Sequence, residues 1–227
     1  NLTLYDQVDE FFNPGGFLQN YVAVEGRTGS TNYRASFTHK NEEGIIPDFN
    51  DGADLKSFRL NLDHEVRDNL NVSVSTYFAR SLQEDVPGGF FDLTFMAPFA
   101  DLRARDPETI GMTHCPANGC LVLNPDPLSN ELNPLYAMDL IDQRDDRTRF
   151  LGSASMVFSP ATWFELEGNF NLDRQDYYQT NRTPKGYETD QSVSGGSYFK
   201  SAALENDINA SITASINKAF GDLTTRT

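Results

Sequence analysis

Apolar and polar residues alternate with a period of two over most of this chain. Phe58, Leu60, Leu62, His64 and Val66 fall on one side of the alternation, and Arg59, Asn61, Asp63 and Glu65 on the other. Leu70, Val72, Val74, Thr76 and Phe78 oppose Asn71, Ser73, Ser75 and Tyr77 in the same way. The pattern returns with Phe150, Gly152, Ala154, Met156 and Phe158 against Leu151, Ser153, Ser155 and Val157, then with Phe164, Leu166, Gly168, Phe170 and Leu172 against Glu165, Glu167, Asn169, Asn171 and Asp173. A last long segment sets Leu204, Ile208, Ala210, Ile212, Ala214 and Ile216 against Asn209, Ser211, Thr213, Ser215 and Asn217. Two weaker segments lie near the start, around Val22-Ala23-Val24 and around Tyr33, Ala35 and Phe37. A period of two scatters apolar residues all round a helix, whereas in a strand it collects them on one face. The chain therefore reads as seven strands and, at Leu223 to Thr227, the beginning of an eighth.

The strands are long. About nine residues or more is what a tilted strand needs to cross a bilayer, while strands of soluble domains usually run to five or six. The connections sort by length as well. Gly29 to Asn32, Arg67 to Asn69, Ser159 to Thr162 and Gly221-Asp222 are tight, whereas Asp48 to Asp54 is intermediate, and Gln83 to Asp146 and Thr183 to Gly196 are long. Short turns at one end and long loops at the other are the pattern of transmembrane barrels. The expected fold class is all-β: an antiparallel transmembrane β-barrel fragment with short periplasmic turns and long extracellular loops. The lipid-facing set is then Leu60, Leu62, Val72, Val74, Phe170, Ile208, Ile212 and Ile216. The lumen-facing set is Arg59, Asn61, Asp63, Glu165, Glu167, Asn169, Asn209, Ser211 and Thr213. Aromatic residues near strand ends suit interfacial girdles: Phe158, Trp163, Phe164 and Phe220 on the tight-turn side, Tyr177, Tyr178, Tyr198 and Phe199 on the long-loop side.

The longest connection changes the picture. Residues 83–146 hold twelve acidic residues against three arginines, a balance of -9, and seven of the eleven prolines. The apolar cluster of Phe90, Phe91, Leu93, Phe95, Met96, Pro98 and Phe99 argues for a segment that folds on itself, because long structureless connections are uncommon in compact domains. Cys115 and Cys120 flank Pro-Ala-Asn-Gly. They read as a local disulfide in an oxidising compartment, with two free thiols as the other reading.

Composition narrows the classes of function. A net charge of -15 over 227 residues speaks against a nucleic-acid footprint, which needs a basic stripe. The mean hydropathy of -0.50 and the absence of any long apolar run leave no candidate for a membrane-spanning helix, though they do not bear on a barrel, in which only alternate residues meet lipid. No phosphate loop or helical metal-ligand pair is present in the sequence, and His39, His64 and His114 are scattered. Glu165 and Glu167 form a carboxylate pair of the kind a glycosidase uses, but along one strand face they read as a solvated surface. Asp139, Asp142, Asp145 and Asp146 are hard oxygen donors and the one candidate for bound calcium; no other cofactor is expected.

Specific phrases resemble a known family. Asn61-Leu62-Asp63-His64 followed by a turn, Tyr33-Arg34-Ala35-Ser36-Phe37 followed by Asn41-Glu42-Glu43-Gly44-Ile45-Ile46-Pro47, and Asn133-Pro134-Leu135-Tyr136 followed by Arg147-Thr148-Arg149-Phe150-Leu151-Gly152-Ser153-Ala154-Ser155 and the Trp163 strand are similar to barrel segments of SusC/RagA-type TonB-dependent outer-membrane transporters. The resemblance covers most of the chain apart from the middle of the long loop. It implies a bacterial outer-membrane protein of 22 strands around a plug, of which residues 1–227 correspond to strands two to nine of one barrel domain with extracellular loop 83–146, and to no plug. Asn1 to Gly16 resembles the extracellular loop before the second strand. It further implies uptake of an oligosaccharide or peptide by binding and gated transport rather than enzymatic turnover. The implied partners are outer-membrane lipid, a SusD-type surface lipoprotein, and a TonB complex acting through the plug. Phe90, Phe91, Phe95 and Tyr136 are the candidate substrate contacts. A secreted β-sandwich that binds carbohydrate and a small self-contained outer-membrane barrel are the competing expectations.

Overall fold

A computed structural model describes residues 3–46, 49, 51–87, 90–126, 128–129, 131–189, 191–220 and 223–226, with the side chains of residues 90, 91, 219, 220 and 223–226 outside the description. Eight antiparallel strands follow one another as neighbours: β1 Phe17–Thr28, β2 Thr31–Glu42, β3 Ala53–Arg67, β4 Leu70–Asp85, β5 Asp142–Ala161, β6 Phe164–Thr183, β7 Ser197–Phe220 and β8 Leu223–Arg226. The sheet is open, with β1 at one end of the order and β8 at the other. Two short helices, α1 Gln7–Phe11 and α2 Pro134–Leu140, lie outside it. The expected all-β antiparallel class is the observed one. The strands run further than the apolar alternation, up to 24 residues in β7, because charged residues continue the ladder beyond the apolar stretch.

Cross-strand pairing merges the separate alternations into two continuous faces. One row passes from Val22 to Phe37, Phe58, Phe78 and Phe150, each directly opposite the next. Another runs from Leu62 to Val74, Ala154, Phe170 and Ala210. Leu60, Val72, Ile208, Ile212 and Ile216 join the same apolar face. The opposite face carries Arg59, Asn61, Asp63, Glu165, Glu167, Asn169, Asn209, Ser211 and Thr213. Among the described residues the apolar face is largely uncovered: Ile208 is 68% exposed and Ile212 81%, and the strands make their main contacts with their neighbours in order.

Two register irregularities occur, between Glu65 and Arg67 and between Phe158 and Ala161, both beside tight turns. Parity explains them. The two-residue turn closed by Arg67 opposite Leu70 would by itself set even-numbered residues of β3 against odd-numbered residues of β4. The apolar residues of both strands are even-numbered, so without a one-residue bulge the apolar set of β4 would meet the polar set of β3. The pair Ala161 and Phe164 poses the same problem for β5 and β6. In the β1–β2 hairpin the apolar sets are even in one strand and odd in the other, so no bulge is needed, and Gly29 takes the positive φ of +59° at the first turn position. The β7–β8 turn at Gly221-Asp222 lies outside the described residues.

The hydrophobic core sits at the long-loop end rather than on the sheet. Phe11, Ile46, Leu93, Met96, Leu102, Leu121, Leu135, Tyr136 and Met138 bury together with Cys120. They come from the segment before β1, the β2–β3 connection and the β4–β5 connection, and Tyr187 of the β6–β7 connection packs against them. Asn133 organises this globule. Its amide donates to the carbonyls of Leu102 (2.8 Å) and Val122 (3.0 Å), while its side-chain oxygen caps α2 by accepting from the Leu135 amide. Pro134 occupies the first helical turn, where a missing amide costs nothing. The N-terminal segment is tied on by Gln7, which donates to the carbonyls of Ala97 and Ala100, and by Tyr5, which donates to Asp101.

Leu135 is fully buried. Leu135→Ala is expected to destabilise the globule by about 2–5 kcal/mol. Hydrogen exchange should then accelerate over residues 86–141 and leave the ladder of β5 to β7 unchanged; acceleration of both would mean that the globule and sheet fold as one unit.

Candidate functional site

On the polar face, side chains of several strands converge around open space. Two adjoining recesses, of 590 and 440 Å³, share Arg59 and Tyr77. The larger also has Ser75, Ser153, Asn171, Asp173, Asp207 and Asn209 around it; the smaller has Tyr21, Arg34, Ser36 and Thr38. These positions alternate with the apolar ones, so the same period that builds the uncovered face lines the recesses.

Polar contacts brace this face. Ser75 donates to Asn61 at 2.6 Å across the β3–β4 pair. Arg149 makes a two-pronged contact with Asp173, at 2.6 and 3.1 Å, across β5–β6. Arg34 lies 3.7 Å from Glu25 and donates to the Tyr21 hydroxyl at 3.3 Å. The guanidiniums of Arg59 and Arg147 stack over Tyr77 and Tyr177, each 5.2 Å from the ring centre. Tyr177 belongs here and not to an outward girdle, because it pairs with Arg147 and donates to Asp145 at 2.7 Å; its neighbour Tyr178 takes the outward position. Glu167 accepts from Asn169, and Glu165 from Ser159.

On the other face, charge begins where the phenylalanine row ends. One step beyond Phe37, Phe58 and Phe78 stand His39, Lys56 and Arg80. His39 and Lys56 both contact Asp54, at 2.6 and 2.7 Å, and Arg80 holds Asp146 at 2.7 Å. Arg174 with Asp176, and Arg144 with Glu84 and Asp142, continue this belt. The apolar stretch from Leu70 to Phe78 in β4 thus has a defined upper limit.

Of the four loop positions expected to touch a solute, two have described side chains, and these differ in exposure. Phe95 is 54% exposed on the globule. Tyr136 is buried, its ring 5.5 Å from that of Tyr187, and its hydroxyl accepts from the Glu188 amide. Burial raises both tyrosine pKa values above the ordinary phenolic range. The side chains of Phe90 and Phe91 lie outside the described residues. The four aspartates considered for calcium do not converge: Asp139 pairs with Arg105, Asp142 with Arg144, Asp145 accepts from Tyr177 and Asp146 pairs with Arg80. Among the described residues, the one group of three metal-ligand side chains is His114, Cys115 and Cys120. The two cysteines form a disulfide, so their sulfurs are not thiolate ligands. Trp163, at the opposite end of the sheet, is 44% exposed with Lys218 over its ring. Among the described residues, no helix is long and apolar enough to cross a membrane.

No protein-family model matches the chain, and no curated protein matches it. Solved structures do match. A structure of the RagAB peptide importer in the "closed-closed" state aligns over 96% of this chain with a TM-score of 0.69 at 15% identity. A structure of the RagAB peptide transporter aligns over 97% with a TM-score of 0.68, again at 15% identity. In both cases this chain spans 24% of the matched chain. The likeness establishes the fold: the open sheet and its loops align with about a quarter of each matched chain.

The Cys115–Cys120 disulfide closes the hairpin that carries Gly119, whose carbonyl accepts from Arg105, which in turn holds Asp139 of α2. Replacing both cysteines by serine should cost about 2 kcal/mol, the chain-entropy value for so short a loop. Limited proteolysis should then cut faster between residues 105 and 121; unchanged cleavage there would show that hydrogen bonding alone holds the hairpin.

Proposed function

We propose that this chain forms part of a bacterial outer-membrane barrel of the SusC/RagA TonB-dependent type, which takes up a solute by binding and gated passage without covalent chemistry. In this reading residues 1–227 belong to one barrel domain. The uncovered apolar face meets lipid, the polar face lines the lumen, and the long-loop globule faces the outside. The observation that carries it is the pair of continuous faces. Nine residues of β4, from Leu70 to Phe78, run apolar outward between a tight turn and the charged belt. At about 3.4 Å per residue they extend roughly 27 Å, or about 21 Å along the membrane normal at a 40° tilt, close to the apolar band of such barrels. A water-soluble sandwich would bury that face against a second sheet. A self-contained small barrel would pair β1 with β8, and the observed order leaves them apart.

The neighbours' description as a peptide importer supports a peptide as the solute, with an oligosaccharide as the other member of the expected class. The resemblance to the SusC/RagA type adds a surface lipoprotein of SusD type as the proposed partner over the globule. Energy would come from a TonB complex through a plug. Calcium is not required by this reading.

The test places one charge on each face at the same height. Ile212→Arg puts a guanidinium at the middle of the apolar band and is expected to cost about 2–4 kcal/mol of membrane folding. Ser211→Arg, on the polar face, should assemble normally. Heat-modifiable mobility of the complete protein from outer-membrane fractions reports both. Equal tolerance of the two changes would contradict the lipid-facing assignment, and uptake of mixed peptides by the S211R strain, lost in the I212R strain, would tie assembly to transport.

A further inference from the structure

Among the arginines of the polar face, Arg27 donates to the Gly29 carbonyl, and four others fall into two kinds. Arg34 and Arg149 have carboxylate partners, Glu25 and Asp173. Arg59 and Arg147 instead lie over tyrosine rings directly opposite them on the next strand, and among the described residues neither is within ion-pair distance of a carboxylate. This is unusual company for arginine in a chain with 33 acidic residues and 18 basic ones. Asp173, which shares a recess with Arg59, is taken by Arg149, and Asp145, two positions from Arg147 on the same strand face, accepts from Tyr177.

Stacking has a chemical consequence. A guanidinium lying over an aromatic ring satisfies its flat face through the ring's negative quadrupole and leaves its N–H edge unoccupied. That edge is a fork matched to a carboxylate, and two parallel charge-assisted hydrogen bonds are among the strongest polar contacts available. Tyr177 is itself fixed, because its hydroxyl donates to Asp145. Arg59 and Tyr77 stand where the two recesses meet, with room for a short oligomer. Arg147 is two strands and several residues further toward the loops, roughly 16 Å away by strand spacing and rise. The Arg149–Asp173 pair lies between and is already satisfied.

We infer that the two tyrosine-backed arginines, Arg59 and Arg147, are carboxylate-binding positions on the polar face, so that the solute handled there is one carrying a carboxylate group. The inference rests on the transport reading for its setting and names the substrate chemistry within it. The net negative charge does not oppose this, since its long-range repulsion is screened beyond about 8–10 Å at ordinary salt, and only local donors act inside a recess. A peptide C-terminus and a uronic acid residue offer the same group, and the experiment separates them.

Binding is measured on the complete protein in detergent with two pairs of probes: N-acetyl-tetraalanine as free acid and as amide, and trigalacturonic acid and its methyl ester. The acid of at least one pair should bind about 10-fold more tightly than its neutral partner, a difference of about 1.4 kcal/mol. The pair that shows the preference identifies the source of the carboxylate. In the double variant Arg59→Gln/Arg147→Gln the preference should fall below about twofold. Tyr77→Phe keeps the stacking ring and should retain it, whereas Tyr77→Leu should weaken it. Equal binding, or no binding, of acid and neutral forms in both pairs overturns the inference, as does a preference that survives in the double variant. Failure of the transport reading is recognised separately, by equal tolerance of arginine at positions 211 and 212.

Discussion

A strand shows alternate residues to opposite sides, so a slip of one residue between any two neighbours would exchange their apolar and polar faces. From β1 to β7 no such exchange occurs. Where a tight turn alone would impose the wrong parity, at β3–β4 and β5–β6, a one-residue irregularity beside the turn restores it. The phenylalanine row, the uncovered aliphatic face, the recesses and the charged belt all depend on that registration. It also decides what environment the molecule needs. Among the described residues, seven long strands present an apolar face on which aliphatic side chains such as Ile208 and Ile212 stay exposed, the feature from which the lipid-facing proposal is argued.

Stability is divided accordingly. The sheet is held by its ladder of backbone hydrogen bonds and by cross-strand pairs, while close-packed burial is confined to the globule at the loop end. Four stretches far apart in sequence build that globule, and Asn133, Arg105 and the Cys115–Cys120 link hold its parts in place. Under the transport reading proposed above, a cluster of loops above a lined recess would separate recognition from passage, with selection at the outer surface and conduction along the polar face.

Much of this was legible in the sequence. Leu70 to Phe78 and Ile208 to Ile216 announce their faces through alternation, and the tight turns at Gly29 and Asp68 mark one end of the sheet. The pairing that turns Phe37, Phe58, Phe78 and Phe150 into a single row was not legible, because the turns by themselves give the wrong parity and the bulges leave no residue signature in Glu65-Val66-Arg67. The upper reaches of the strands were hidden for a different reason: Arg80, Glu84, Arg144 and Asp146 look like loop residues until their ion pairs are seen. The same holds for the tyrosine-backed arginines. Arg59 and Tyr77 each read as polar-face residues, but their stacking is a property of register and rotamer. Tyr136, expected as a substrate contact, is packed in the core, since the helix that carries it docks through Asn133.

The most direct test of the account is accessibility along β7. Single nitroxide labels at residues 207 through 216 of the complete protein, reconstituted in lipid, report collision with oxygen, which concentrates in the bilayer, and with a water-soluble nickel chelate. The account predicts a period of two, with positions 208, 210, 212, 214 and 216 open to oxygen and the odd positions open to the chelate. A profile without alternation, or one in which 209, 211 and 213 face the lipid, would contradict it.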